Sequence, residues 1–193
     1  MERNYAVDKV FQNINYSEVL LEKGDYECCR FIGCDFSKSN LDERSFIDCQ
    51  FEACNLSLVN VSKTLLRDVT FSNCKMLAIH FENCNQFGLS VRFEGCNLTH
   101  CSFYQVKLKK TNFKNCRLQE VDFTECDLSN SVFDNCDFVN ANFEKTFLEK
   151  ADLRTSFNYA IDPEINSIKK AKFSLNGITG LLRKYDIEID GRP

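Results

Sequence analysis

Phe113-Lys114-Asn115-Cys116-Arg117-Leu118-Gln119-Glu120-Val121-Asp122-Phe123-Thr124-Glu125-Cys126-Asp127-Leu128-Ser129-Asn130-Ser131-Val132-Phe133 places Phe or Leu at every fifth position, with Cys, Val or Ser two residues before. The same phase extends forward through Phe138, Phe143, Leu148 and Leu153 and back through Leu108, Phe103, Leu98 and Phe93. After a two-residue slip it continues from Phe81 back to Phe11, through Met76, Phe71, Leu66, Val61, Leu56, Phe51, Phe46, Leu41, Phe36, Phe31, Tyr26, Leu21 and Tyr16. Period five fits neither the 3.6-residue helix nor the alternation of a strand, either of which would scatter these side chains over several faces. A chain that turns a corner every five residues keeps them all inside.

A second period of 20 residues closes the figure. Cys34, Cys54 and Cys74 share it, as do Cys96, Cys116 and Cys136, and the series Phe93, Phe113, Phe133 and Phe103, Phe123, Phe143 behave alike. Four sides therefore make one square coil, and like residues stack on like. Coils at the spacing of hydrogen-bonded strands, about 4.7–4.9 Å, give about seven turns in a rod of roughly 35 Å. The slip falls at residues 85–92, which the pattern leaves as a bulge, a kink or a projecting loop.

The totals agree with a repetitive all-β rod. The 193 residues hold 18 Phe and 12 Cys but only 7 Gly and 2 Pro, so ordinary turn residues are scarce. The beginning of the chain reads as no export signal, and no run of about 18 apolar residues occurs, so the expectation is a cytoplasmic, membrane-free protein with free thiols. A net charge of −4 argues against direct binding of nucleic acid.

Ala141-Asn142-Phe143-Glu144-Lys145 and Ala151-Asp152-Leu153-Arg154-Thr155 resemble the Ala-(Asp/Asn)-Leu-X-X unit of the pentapeptide-repeat family, and the resemblance covers about residues 9–157. It implies a right-handed quadrilateral β-helix over residues 1–157, followed by a cap and dimerisation tail over 158–193. In that tail Ser174 is placed to cap a short helix, with Ile178, Leu181, Leu182 and Tyr185 on one apolar face, and Ile187-Glu188-Ile189 alternates as a strand does. Ala171-Lys172-Phe173-Ser174 reads as one more repeat side. A repeat rod with such a tail is similar to the McbG, Qnr and MfpA type of topoisomerase-protecting proteins. That similarity implies a homodimer joined through the tail and a DNA-mimicking surface that engages DNA gyrase or topoisomerase IV. The two longer projecting loops of Qnr proteins from Gram-negative bacteria have no counterpart here beyond the slip.

No motif calls for catalysis, a metal or another cofactor. The Cys spacings are not those of zinc knuckles, and the repeat sends all but Cys28 inward, leaving Cys28 as the one thiol expected to react. His100 beside Cys101 looks like a base and a nucleophile, but the repeat points them to opposite sides. Between Leu118 and Glu144 lie Glu120, Asp122, Glu125, Asp127, Asp134, Asp137 and Glu144 with no basic residue. Stacking by 20 sets Asp127 beside Lys107, Asp134 between Lys114 and Arg154, Asp137 beside Arg117 and Glu125 beside Lys145. Glu120, Asp122 and Glu144 are left as the candidate partner-binding face. Two readings stay open: a DNA-mimicking acidic face, or a solvated charge ladder on a scaffold that binds some other protein.

Overall fold

In the computed structural model, which describes residues 4–190, nearly every five-residue side beyond the first coil buries its central residue and the residue two before it, and a corner follows. At most corners the turning residue takes a positive φ, between 52° and 64°. Asn and Asp tolerate that left-handed conformation better than most residues, and they fill many of the corners, among them Asp8, Asn13, Asp48, Asp68, Asn73, Asn115 and Asn135. This is how the chain turns so often with so little glycine.

The result is the right-handed quadrilateral β-helix, about seven coils long and entirely parallel. We number its faces by their central residues. Face I carries Phe11, Phe31, Phe51, Phe71, Phe93, Phe113 and Phe133, paired one above another in a seven-stranded sheet from Val10–Gln12 to Val132–Asp134. Faces II, III and IV follow in each coil, for example at Leu118, Phe123 and Leu128. The four-stranded sheet Asn4–Val7, Gly24–Glu27, Ser45–Ile47 and Leu65–Arg67 lies on face IV.

Aromatic stacking follows from the register. On face I successive rings lie 4.7–5.5 Å apart and near-parallel, while Phe113 meets Phe103 and Phe123 of face III at 85° and 88°. Offset stacks and edge-on contacts both satisfy the ring quadrupole. Each buried Phe or Leu contributes about 1.5–3 kcal/mol against the cost of ordering its side.

The inner cysteine column does more than fill space. Cys54, Cys74, Cys116 and Cys136 donate S–H to the carbonyls of Phe31, Phe51, Phe93 and Phe113, the central residues one coil below. Thr64, Ser131, Thr146 and Ser156 donate in the same way to Leu41, Leu108, Phe123 and Phe133. A small donor at this position therefore satisfies a carbonyl inside the rod. Arg44 takes the same position before Phe46 and is likewise buried.

The slip at 85–92 is a fixed bulge on face IV. The Gln86 side-chain amide donates to the carbonyls of Phe81, Glu82 and Cys84, Gly88 turns at φ 71°, and Leu89 packs on the core. Val91 then rejoins the ladder beside Val69. Phe87 is left 79% exposed at the tip.

Past Phe157 the ladder continues, with Ser167 bridging Phe147 and Lys172 bridging Asp152, the latter in the anticipated extra side. The tail then forms two 3₁₀ stretches, Asn176–Leu181 and Arg183–Tyr185, instead of an α-helix. Ser174 Oγ accepts the Gly177 amide at 3.0 Å, as a cap would. Gly177 and Gly180 let the backbone lie on Tyr159, where a Cβ would come within 1.9 Å of Tyr159 Oη or 2.4 Å of the Tyr159 carbonyl oxygen. The anticipated strand at Ile187-Glu188-Ile189 does not form; these residues are exposed and pair with no neighbouring strand. The single apolar face is also divided, because the 3₁₀ turn is tighter: Leu181 packs against the core, Leu182 is half-buried, and Ile178 and Tyr185 are exposed.

Candidate protein-binding faces

Because the aromatic, aliphatic and cysteine columns fill the coil interior, chemistry available to partners is set by which side chains the coil turns outward. Face III gathers acidic groups in its upper half. Ser102, Asp122 and Asn142 form one bridged column, Glu144 follows Phe143, and Glu120 and Glu125 occupy the left-handed corners on either side of Phe123. Glu120, Asp122 and Glu144 thus lie on or beside a single face.

Two of the three have partners that charge stacking alone did not suggest. His100 Nδ1 lies 3.4 Å from Glu120 Oε2. Asp122 Oδ1 accepts the Thr124 amide at 2.9 Å, the Thr124 hydroxyl at 2.6 Å and the Asn142 amide at 3.2 Å. The signal for Asp122 is local: Asp or Asn followed two residues later by Ser or Thr forms the Asx turn, as Asn15-Ser17, Asn55-Ser57, Asn60-Ser62 and Asn97-Thr99 also do. Glu144 has no side-chain partner among the described residues.

Elsewhere the ladder differs in detail from the 20-residue pairing. Lys107 does bridge Asp127 through the backbone, but the ion pair to Asp127 comes from Lys109 at 3.0 Å. Lys114 turns down to Glu94 at 2.7 Å, and Arg154 turns sideways to Asp152 at 2.8 Å, so Asp134 instead accepts the Thr155 hydroxyl at 3.0 Å. Glu125 accepts the Gln105 amide at 2.8 Å. Long side chains choose among several oxygens within reach, which a column register cannot decide. The Arg154 guanidinium holds the Asp152 carboxyl below its usual range, and Asp137, pushed up by partial burial, is brought below it by Asn158 and Gln119.

Face IV has the opposite character above the bulge. Lys107, Lys109, Lys110, Lys150, Lys169 and Lys170 are all exposed there, together with Phe147 at 48%. At the rod's end, Lys184 joins Asp162 at 2.7 Å and Glu164 at 2.6 Å, and the Tyr185 hydroxyl donates to Glu164 at 2.8 Å. These contacts hold the tail on the last coil.

The thiols supply no reactive centre inside the rod. Eleven of the 12 are buried, and burial pushes Cys49, Cys84 and Cys101 up to about 12. Among the described residues no three His, Cys, Asp or Glu side chains are grouped to hold a metal ion, and no helix is long and apolar enough to cross a membrane. His100 is exposed and Cys101 buried, on opposite sides of the wall. Cys28 is exposed, but partial desolvation and the carboxylates of Asp8, Asp48 and Glu27 raise its thiol pKa. A disulfide reagent at pH 8 should therefore label one of the 12 thiols of the native protein, and more slowly than free cysteine; all 12 should react in denaturant. Rapid labelling of several native thiols would contradict the burial.

A family model for the pentapeptide repeat region matches residues 25–90 and 89–157. No curated protein matches at the level of sequence. Among solved structures, full-length QnrB1, a plasmid-mediated fluoroquinolone resistance protein, is 17% identical over 94% of this chain and 99% of its own, with a TM-score of 0.54. A trypsin-treated form of QnrB1 is 18% identical over 96% and 97%, with a TM-score of 0.50. HetL of Nostoc sp. strain PCC 7120, involved in regulating heterocyst differentiation, is 17% identical over 89% of both chains, with a TM-score of 0.41.

Proposed function

The chain belongs to the pentapeptide-repeat family, and on that premise we propose that it is a non-enzymatic rod whose acidic face III enters a basic, DNA-binding surface of a type II topoisomerase, DNA gyrase or topoisomerase IV. The observation that carries this reading is the gathering of Glu120, Asp122, Glu125 and Glu144 on and beside one face within two coils. At about 4.8 Å per coil that is one acidic group per roughly 2.4 Å of axis, against one phosphate per about 1.7 Å in duplex DNA. A surface evolved to hold DNA meets a comparable density of charge there. The likeness to QnrB1 supports the fold and, through it, the choice of enzyme to test. In this reading the tail joins two rods, offering Ile178, Leu182 and Tyr185 as contacts with a second copy, while Leu181 serves the cap beneath them.

A second reading, a scaffold for a different protein partner, is favoured by face IV, because a lysine-rich side is foreign to a mimic of DNA. A supercoiling assay with purified gyrase separates the two. Micromolar protein should inhibit supercoiling or relieve quinolone inhibition, and combined Glu120→Lys, Asp122→Asn and Glu144→Lys should weaken the effect at least tenfold. Asn is chosen at 122 because it keeps the acceptor for Thr124 and removes only the charge. Absence of any effect from the parent rod would remove the topoisomerase reading and leave the scaffold; light scattering of the same sample reads the dimer.

A further inference from the structure

Face IV combines two features that the topoisomerase reading does not use: lysines without carboxylate partners and solvent-facing phenyl rings. Lys107, Asp127, Phe147 and Ser167 form one bridged column, and the corner column beside it runs Lys110, Asn130, Lys150, Lys170, each amide tied to the coil above where the next coil exists. Lys109 is engaged by Asp127, and Glu149 accepts the Ser167 hydroxyl. Lys107, Lys110, Lys150, Lys169 and Lys170 have no ion pair among the described residues. Phe147 stands within this field, and Phe87 stands below it on the braced bulge.

We propose that face IV is a binding surface for single-stranded nucleic acid, with the lysines tracking the phosphates and Phe87 and Phe147 serving as platforms for bases. Single-strand binders combine a basic track with aromatic rings because every base has a flat π-face. The alternative occupant, an acidic protein segment, would satisfy the lysines but presents a flat ring only where it happens to carry an aromatic residue, whereas every nucleotide of a strand carries one. The two Phe are about three coils apart, roughly 14 Å along the rod, so one strand running along the axis reaches both. The net charge of −4 is an average over faces of opposite character, and face IV lies a quarter-turn from the acidic one.

The test is fluorescence anisotropy of the full chain with a labelled oligothymidylate of about 15 nucleotides. Saturable binding at low salt should weaken as salt rises, with a log–log slope no steeper than roughly −3.5, from five lysines at about −0.7 per phosphate on a single strand. Combined Lys107→Glu, Lys110→Glu and Lys150→Glu should weaken binding at least tenfold and flatten that slope. Phe147→Ala should weaken it several-fold at unchanged slope, since no charge is lost. The face III variant should bind as well as the parent or better, and circular dichroism melting should show every variant folded. No binding at about 100 μM protein in low salt would overturn the proposal. So would indifference to both Phe87→Ala and Phe147→Ala together with displacement by poly-L-glutamate of equal charge, which would mark a surface for acidic protein.

Discussion

Phe113→Ala is expected to lower the free energy of unfolding by about 3–5 kcal/mol, the range for truncating a buried Phe whose surroundings cannot collapse. Phe113 is fully buried, with Phe93 at 5.1 Å below and Phe133 at 4.9 Å above. Phe103 and Phe123 meet it edge-on at 6.3 Å and 6.5 Å. Four rings lose a partner at once, and none can move in without leaving its own column. The backbone cannot close the gap either, because Asn112, Phe113 and Lys114 are held between strands on both sides.

The rod geometry gives this substitution a second signature. Each coil touches only its neighbours, so stability is close to a sum of coil and interface terms. A void in the middle weakens two interfaces and should uncouple the coils below from those above. Urea unfolding of the variant, followed by hydrogen exchange, should show the two ends opening at different denaturant concentrations, where the parent opens more nearly as one. A loss under about 1 kcal/mol with a single shared transition would show that the stack is not what couples the coils. Phe87→Ala, by contrast, removes an exposed ring and should leave stability close to the parent's.

The interior was legible in the sequence because a five-residue period has one geometric solution. The centres from Tyr16 to Leu153 that the period marks are buried, and Phe11 at the open end is partly so. The choice of Cys, Ser and Thr for the inner column was readable as small size, but its hydrogen-bonding role was not, since the accepting carbonyl lies 23 residues earlier in most coils and only the folded coil brings it near. The tail was not legible in detail: apolar spacing alone does not separate a 3₁₀ turn from an α-helix, and the Gly177 and Gly180 contacts with Tyr159 depend on tertiary packing. For the candidate site, the charge run between Leu118 and Glu144 was visible as a run, yet the coil deals its members to different faces. Of face IV only the run Lys107, Lys109 and Lys110 is visible along the chain; Lys150, Lys169, Lys170 and Phe147 lie far from it in sequence and join it only when read by column.

Arg44→Ala is the second large effect, expected at about 2–4 kcal/mol and concentrated in the first two coils. Arg44 occupies the inner position that elsewhere holds a small residue, and it is 1% exposed. Its guanidinium donates from Nε to the carbonyls of Leu21 at 3.1 Å and Glu22 at 3.2 Å, from Nη1 to that of Asp42 at 3.2 Å, and from Nη2 to Leu21 again. Burial pulls its pKa below the ordinary arginine value, so the carbonyls must offset a real desolvation cost. Alanine would leave the Leu21 and Asp42 oxygens without the guanidinium, while Glu22 keeps the Tyr26 hydroxyl, and would open a void the length of the side chain; stranded buried acceptors cost about 1–3 kcal/mol each. Arg44→Thr separates the two contributions. Thr64, one coil above, donates to Leu41 in the place equivalent to Leu21, so threonine at 44 should recover the bond to Leu21 while keeping most of the void. Its stability should fall between alanine and the parent, with the amides of Gly24–Glu27 exchanging faster than those of Val132–Asp134. If threonine proved no better than alanine, the donor role would be secondary and Arg44 would act mainly by filling volume; a loss below about 1 kcal/mol for alanine would remove both.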